Sequence, residues 1–134
     1  MSQENLNVIK SVYKAFGQGD IPAVFDLFDP AIEWIAADNS PAAAGSPYHG
    51  LEEVREGVFM RIVTGFEGFT IRVDELLDAG DKIVMLGYYL GTHKATGKQF
   101  QAQVAHIWTI AAGKVVKFQQ YTDTYQLAEV TRTG

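Results

Sequence analysis

The chain contains no cysteine among its 134 residues. Disulfide bonds, a cysteine nucleophile and cysteine-ligated metal sites are therefore excluded. Basic residues are also few, because 11 Lys and Arg stand against 16 Asp and Glu, for a net charge of −5. They are scattered and form no cluster of the kind that binds phosphate groups, so we do not expect nucleic acid as a partner.

Long apolar runs are absent as well. No stretch approaches the roughly 18 residues of a membrane-spanning helix. The first five residues lack the basic and apolar regions of a signal peptide. We therefore expect a cytoplasmic protein that does not associate with membranes. A hydrophobic fraction of 47% is sufficient for a packed core, and the absence of linkers and repeats favours a single domain over residues 1–134.

The N-terminal half has the periodicity of helices. Every third or fourth position from Leu6 to Phe16 is apolar, as on one face of a helix. A second helix should begin after Asp20, a favourable N-cap, and end at the pair Asp29-Pro30. The expected elements are helices over 6–16, 21–28 and 51–63, with a short strand over 32–36 and an irregular loop over 38–50 before the third helix.

From residue 69 onward the apolar period changes to two, which is typical of β-strands. Turns at Gly80, Gly97 and Gly113 separate predicted strands over 69–74, 83–92, 99–110 and 114–125. Three helices followed by this meander predict an α+β fold, with the helices packed on one face of a strongly curved sheet.

The predicted strand over 83–90 is apolar at both parities. An antiparallel sheet with one hydrated face normally alternates apolar and polar residues, and three short helices can cover only one face. We expect a second copy of the chain to cover the other face, giving a homodimer. A single central strand buried on both sides is the alternative.

His106 is the chief candidate for a functional side chain. It interrupts a row of apolar residues at alternate positions of one strand, namely Phe100, Ala102, Val104, Trp108 and Ile110. Its imidazole should therefore point into the core, where burial favours the neutral ring. His106 either lines a pocket or is a core histidine bonded to a backbone carbonyl. We expect the pocket, because apolar pockets carry a few specifically placed polar groups.

The histidines do not predict a metal centre. His49, His93 and His106 lack the spacing of metal-binding helices. Neither a glycine-rich phosphate loop nor a nucleophile elbow occurs. We therefore expect neither a metal nor a cofactor.

Five segments carry a family resemblance. They are Gly17-Gln-Gly-Asp20 with the following Ile-Pro-Ala-Val-Phe-Asp-Leu-Phe-Asp-Pro, Ile32-Glu-Trp34, Pro47-Tyr-His-Gly-Leu-Glu-Glu-Val54, Ala105-His-Ile-Trp-Thr-Ile-Ala-Ala-Gly-Lys114 and Phe118-Gln-Gln-Tyr-Thr-Asp-Thr124. Their order and spacing resemble the NTF2-like superfamily, in its SnoaL-like and ketosteroid-isomerase-related branch. The resemblance implies a cone-shaped barrel, in which a curved mixed or antiparallel sheet wraps three N-terminal helices around an apolar pocket. It also implies dimers formed through the outer sheet faces.

The same resemblance implies roles for individual residues. His106 matches the strand position of a protonated Asp in the oxyanion hole of the steroid isomerases. Tyr13 resembles their oxyanion-hole Tyr if one residue is deleted before Gly19, and otherwise Val12 takes that position. Trp34 stands where those isomerases have their general base. Gln120 stands where the SnoaL-like cyclases have an acid/base Asp, and an amide cannot shuttle a proton.

Two further residues complete the candidate site. Asp123 matches a second Asp of the cyclases. It either accepts a hydrogen bond from His106, as the group that orients a base, or bonds backbone amides at the end of its strand. Tyr48 resembles an aromatic residue that flanks the pocket at the start of the third helix. The predicted catalytic residues are His106, Asp123 and Tyr13, and the predicted ligand-binding residues are Trp34, Tyr48, Val104, Trp108, Phe118 and Gln120.

Three functions remain open. The first is a cofactor-free acid/base isomerase, lyase or cyclase acting on a small apolar carbonyl or polyphenolic compound. The second is a non-catalytic module that binds a small apolar ligand in the same pocket. The third is a structural domain whose pocket is filled. The missing carboxylate bases at Trp34 and Gln120 count against the known isomerase and cyclase reactions.

Overall fold

The computed structural model describes residues 2–132. Its α-helices are α1 (Ser2–Gly17), α2 (Ile21–Asp26), α3 (Gly50–Val54), α4 (Met60–Gly65) and α5 (Thr124–Thr131). A π-helical turn, Arg55–Phe59, joins α3 to α4, and a 3-10 turn spans Ala43–Gly45. The strands are β1 (Phe28–Ile35), β2 (Tyr48–His49), β3 (Phe66–Ala79), β4 (Lys82–His93), β5 (Gln99–Ala111) and β6 (Lys114–Thr122). No helix in this part of the chain is long and apolar enough to cross a membrane.

The six strands form one mixed sheet in the order β2-β1-β6-β5-β4-β3. The strands β3 to β6 are joined as an antiparallel meander, and β1 pairs with β6 in parallel. The helices α1 and α2 and the helical segment over 50–65 contribute to a core shared with the sheet. The predicted α+β fold is confirmed, and the sheet is of the mixed kind.

The second helix begins as expected and ends earlier. The side chain of Asp20 accepts a hydrogen bond from the backbone N–H of Ala23, and Pro22 lies in the first turn. The helix ends at Asp26, so Asp29 and Pro30 lie within β1 rather than stopping a helix. The pairing of β1 with β6 is irregular between residues 28 and 33. Proline accounts for this, because it has no amide hydrogen to donate to a neighbouring strand.

The alternation predicted for β5 is present in the structure. Its even-numbered residues from Phe100 to Ile110 are all buried, and the residues between them are exposed or partly buried. Two apolar clusters meet at this face. The larger lies against α1, α2 and the helical segment over 50–65 and includes Trp108, and the smaller lies under α5 and includes Tyr89. The ring of His106 contacts both of these aromatic residues, so His106 lies where the clusters join.

The C-terminal end of the sheet differs from the expectation. We predicted a strand up to residue 125, but β6 ends at Thr122 and α5 follows. Asp123 caps this helix, since its carboxylate accepts a hydrogen bond from the backbone N–H of Gln126. Leu127 and Val130, one turn apart, are buried and belong to the smaller cluster. The cap at Asp123 and the short apolar face of α5 therefore explain why the strand ends earlier than the alternation predicted.

Candidate functional site

A cavity of about 90 Å³ lies between the helices and the sheet. An engineered apolar cavity that binds benzene measures ~150 Å³, so this smaller cavity holds at most a small single ring unless its wall moves. The residues lining it are Val12, Tyr13, Phe16, Val24, Trp34, Ser40, Pro41, Ala42, Val58, Phe59, Arg61, Ile62, Phe66, Phe69, Ile71, Tyr89, His106, Trp108, Phe118, Gln120 and Leu127. Among these described residues, Arg61 is the only one with a charged group, and none is a carboxylate.

The imidazole of His106 is held between two tyrosine hydroxyls. His106 is only 2% exposed. Its Nδ1 lies 2.7 Å from the hydroxyl oxygen of Tyr13, on α1. Its Nε2 lies 2.5 Å from the hydroxyl oxygen of Tyr89, on β4. Both ring nitrogens therefore have a hydrogen-bond partner, and both partners also line the cavity.

Besides its contact with the imidazole, each tyrosine oxygen accepts a hydrogen bond from a group that can only donate in this geometry. The indole N–H of Trp108 donates to Tyr13 at 2.8 Å, and an indole has no acceptor. The amide Nε2 of Gln120 donates to Tyr89 at 2.8 Å. The orientation of that amide is fixed, because its Oε1 accepts from the backbone N–H of Ala37 at 3.0 Å. Both hydroxyl oxygens are therefore acceptors before the imidazole is considered.

Burial keeps the three central groups uncharged. Loss of hydration lowers the pKa of His106 to about 3, so the ring is neutral near pH 7. Burial raises the pKa of Tyr89, and the hydrogen bond from Gln120 offsets this only in part. Burial likewise raises the pKa of Tyr13 well above its ordinary value, against the smaller opposite effect of Trp108. Both tyrosines therefore keep their protons.

Counting protons shows that one tyrosine hydroxyl proton has no partner among these groups. A neutral imidazole has one N–H and one lone pair, so it donates to one tyrosine and accepts from the other. One hydroxyl proton is used on the imidazole of His106. The second hydroxyl proton belongs to the tyrosine that accepts from the imidazole. This is Tyr89 when Nε2 carries the ring proton, and Tyr13 when Nδ1 carries it. In either tautomer, one hydroxyl proton is left without an acceptor among these groups.

The structure brings together most of the residues that we singled out in the sequence. Tyr13, rather than Val12, bonds His106, although both residues line the cavity. Trp34, Trp108, Phe118 and Gln120 are also in the lining. Val104 is not part of it. The side chain of Val104 is buried in the smaller cluster, together with Leu127 and Val130 of α5.

Tyr48 also lies outside the lining, contrary to our expectation. It is buried, and its hydroxyl donates to the backbone carbonyl of Ala42 at 2.6 Å. Its ring lies so close to Gly45 and Gly57 that a Cβ at either position would come within 3 Å of it. Tyr48 therefore supports the loop segment Ser40–Ala42, whose residues do line the cavity.

Asp123 does not contact His106. It is exposed, and its Oδ1 accepts from the backbone N–H of Gln126 at 3.1 Å. The alternative of a strand-end Asp that bonds a backbone amide is the one found, because β6 ends before this residue and α5 needs a cap. The orienting role proposed for Asp123 is therefore corrected. The partners of the imidazole are tyrosines rather than a carboxylate.

Tyr89 is the functional residue that the sequence reasoning missed. The segment 83–90 is apolar at both parities, so the sequence did not show which residues face inward. In the structure, Ile83, Met85 and Tyr89 face the core, and Met85 pairs directly with His106. Tyr89 has the same parity as Met85, the residue opposite His106. This parity could have identified Tyr89 only if the register of β4 against β5 had been known.

The cavity offers no set of metal ligands. Across the described part of the chain, no three His, Cys, Asp or Glu side chains lie close enough together to share a metal ion.

A family model described as the SnoaL-like domain matches residues 9–118, and the chain belongs to this family. An NTF2-like protein from Burkholderia thailandensis is 36% identical over 96% of this chain and 97% of that chain, with a TM-score of 0.91. An NTF2-like protein of unknown function from Burkholderia pseudomallei is 26% identical over 95% and 96%, with a TM-score of 0.86. TerC, co-crystallised with polyporic acid, is 22% identical over 95% and 97%, with a TM-score of 0.84, and shows likeness of fold alone. No curated protein matches the sequence.

The capping role of Asp123 is testable by two substitutions. Asp123→Ala removes the cap of α5 and should lower the free energy of unfolding by about 1 kcal/mol. Asp123→Asn keeps a side-chain acceptor and should restore stability. Urea denaturation measures both effects, and the NMR signals of the His106 ring should be unchanged in both variants. Loss of stability in both variants, together with a shift of the His106 signals, would contradict this assignment.

His106 should make the protein less stable as the pH falls. Its folded pKa of about 3 lies below its ordinary value of 6.5, so the unfolded chain takes up the proton first. The contribution of the neutral His106 ring to the free energy of unfolding is fully present above pH 6.5. It is lost toward pH 3, by up to about 1.4 kcal/mol for each pH unit. Urea denaturation at pH 7, 6 and 5 should show a shallower loss of stability in His106→Gln than in the wild type. His93→Gln, outside the cavity lining, is the control, and a His106→Gln slope equal to the wild type would refute the account.

Proposed function

We propose that this protein binds a small, largely apolar molecule through a neutral carbonyl or phenolic oxygen. The observation that carries the proposal is that the imidazole of His106 lies between the hydroxyls of Tyr13 and Tyr89, which leaves one hydroxyl proton uncommitted. A ligand oxygen that accepts this proton completes the hydrogen bonding of the group. The aromatic and aliphatic wall supplies the remaining binding energy by burial of apolar surface.

The uncharged state of the group favours a neutral oxygen over an ion at this end of the cavity. A buried anion needs a positive partner, and the imidazole of His106, with a pKa lowered to about 3, does not supply one near pH 7. A cation would need a negative partner, and none of the described lining residues is a carboxylate. A ketone, quinone or phenol satisfies the available donor without burying a charge.

Catalysis as an isomerase or lyase is the second candidate, and the same hydroxyl proton favours it. A donor aimed at a carbonyl oxygen also stabilises the oxyanion that forms when a proton leaves the neighbouring carbon. Such a reaction needs a base, and the two positions where the family resemblance places one hold Trp34 and Gln120. Both nitrogens of His106 are already hydrogen-bonded. Binding is therefore the first candidate, and exchange of the α-hydrogens of a bound ketone in D2O would indicate catalysis.

The polyporic acid complex of TerC supports a small-molecule role for a protein of this fold. That protein is only 22% identical to this chain, so its ligand does not identify the ligand here. The wall residues of this chain, and the small size of its cavity, are the evidence for the class of ligand.

We also propose that two copies of the chain pair through the outer face of the sheet. Two largely apolar rows of residues cross this face in register, with Glu75 and Gln119 as their polar members. One row contains Leu86, Ala105 and Tyr121, and the other contains Leu77, Val84 and Ile107. Leu77, Leu86 and Tyr121 are exposed in the single chain. Pairing of two such faces would remove this apolar surface from water.

The role of the tyrosine proton is testable with cyclopentanone and cyclopentane, which differ by one oxygen. The double variant Tyr13→Phe/Tyr89→Phe should weaken cyclopentanone binding, by up to about tenfold, because the carbonyl loses the hydroxyl donor. The donors that remain are the N–H groups of His106, Trp108 and Gln120, which lie one hydrogen bond further from the ligand oxygen. Cyclopentane binding should be unchanged, which also shows that the cavity is intact. NMR titration measures both affinities.

The single variants add a second check. Each single variant keeps one tyrosine. The imidazole of His106 can donate to the hydroxyl oxygen of that tyrosine, so the hydroxyl proton of the tyrosine stays free. At least one of Tyr13→Phe and Tyr89→Phe should therefore bind cyclopentanone as the wild type does. Cyclopentanone binding that is unaffected in the double variant would exclude the tyrosine protons from ligand binding.

The dimer is testable by size-exclusion chromatography with light scattering. The wild type should have twice the mass of one chain at micromolar concentration. Ala105→Lys places a charge between Leu86 and Tyr121 in these rows and should give monomers. Val63→Lys, at an exposed apolar position of α4, is the matched control and should stay dimeric. A wild-type monomer at this concentration would rule out the proposed pairing.

A further inference from the structure

Ser40 is a buried hydroxyl without a hydrogen-bond partner. It lies on the loop between β1 and β2, lines the cavity and is 8% exposed. Its Oγ finds neither donor nor acceptor among the described residues. Leaving a buried polar group without a hydrogen-bond partner has a cost in stability. This cost is removed if the hydroxyl meets a polar atom of a ligand in the cavity.

Arg61 lies beside the same loop. It is an exposed residue that also lines the cavity, so it marks the opening. Its Nη1 donates to the carbonyl of Pro41, the residue after Ser40, at 3.2 Å. A guanidinium has five N–H donors, so most of its donors remain for another partner.

Arg61 also differs from the other arginines of the chain in its charge partners. Arg55, Arg72 and Arg132 each form an ion pair with a nearby carboxylate. Among the described residues, no carboxylate lies within ion-pair distance of Arg61. One loop therefore carries an unsatisfied hydroxyl at Ser40 and, at the next residue, the carbonyl that holds a guanidinium without an acidic partner.

We propose that Arg61 and Ser40 form an anion subsite, and that the ligand is a small oxo acid. This inference rests on the proposed function, since the carbonyl oxygen of the oxo acid accepts the tyrosine proton beside His106. Its carboxylate accepts hydrogen bonds from the guanidinium of Arg61 and from the hydroxyl of Ser40. The apolar part of the ligand lies against the wall between these two polar points.

The placement of the charge is consistent with the energetics of the cavity. A carboxylate beside His106 would be buried without a positive partner, whereas one at the opening keeps part of its hydration and meets a guanidinium. Charge-assisted hydrogen bonds to Arg are stronger than those between neutral groups. The two polar points therefore orient the ligand in one direction, with its ketone inward and its carboxylate outward.

The test compares cyclopentanone with 3-oxocyclopentane-1-carboxylate, which adds a carboxylate to the same ring. NMR titrations of both compounds are made with the wild type, Arg61→Met and Ser40→Ala. Arg61→Met should weaken binding of the oxo acid at least fivefold, and Ser40→Ala should weaken it at least twofold. Both variants should bind cyclopentanone within twofold of the wild type. Arg55→Met removes the same charge from outside the cavity lining and should change neither affinity.

The outcomes separate this inference from the proposed function. Oxo acid binding that is absent, or unaffected by both substitutions, overturns the anion subsite, while tyrosine-dependent cyclopentanone binding leaves the proposed function in place. Cyclopentanone binding that is absent, or independent of Tyr13 and Tyr89, overturns the proposed function, and the oxo acid assignment then falls with it.

Discussion

The site depends on one constraint, which is that the buried imidazole of His106 is neutral and has two tyrosine partners. A neutral ring offers one donor and one acceptor, so its two neighbours cannot play the same role. Because Trp108 and Gln120 already donate to the two tyrosine oxygens, a single hydroxyl proton is left over. The polarity of the cavity follows from this count. At the His106 end of the cavity, the proposed function follows from one placed donor that suits a neutral oxygen, whereas a charged imidazole would have suited an anion.

The fold produces this arrangement from separate elements. Tyr13 comes from α1, Tyr89 from β4 and Gln120 from β6, and all three meet His106 of β5 or each other. The backbone of Ala37 then fixes the Gln120 amide, which ties the loop after β1 to the same group. The same loop supplies Ser40, and Tyr48 supports it from behind. The loop that forms part of the cavity wall is therefore hydrogen-bonded to the same group of polar side chains that includes His106.

Local periodicity was sufficient to predict much of this structure. The row around His106 follows from the alternation of β5, and Tyr13 follows from the apolar stripe of α1, since each signal lies within one element. Tyr89 could not be placed, because β4 is apolar at both parities and only its register against β5 shows which side faces His106. Asp123 was assigned to a strand because alternation does not show where pairing stops. Val104 has the parity of His106 but lies under α5, a helix that was not expected.

The account is tested most directly by ¹⁵N NMR of the His106 ring, recorded from pH 7 to pH 4. We expect one protonated and one unprotonated ring nitrogen throughout this range, because the pKa of His106 is lowered to about 3. Two protonated nitrogens at pH 5 would show an imidazolium that donates to both tyrosines. That result would release both hydroxyl protons and contradict the neutral, single-donor site.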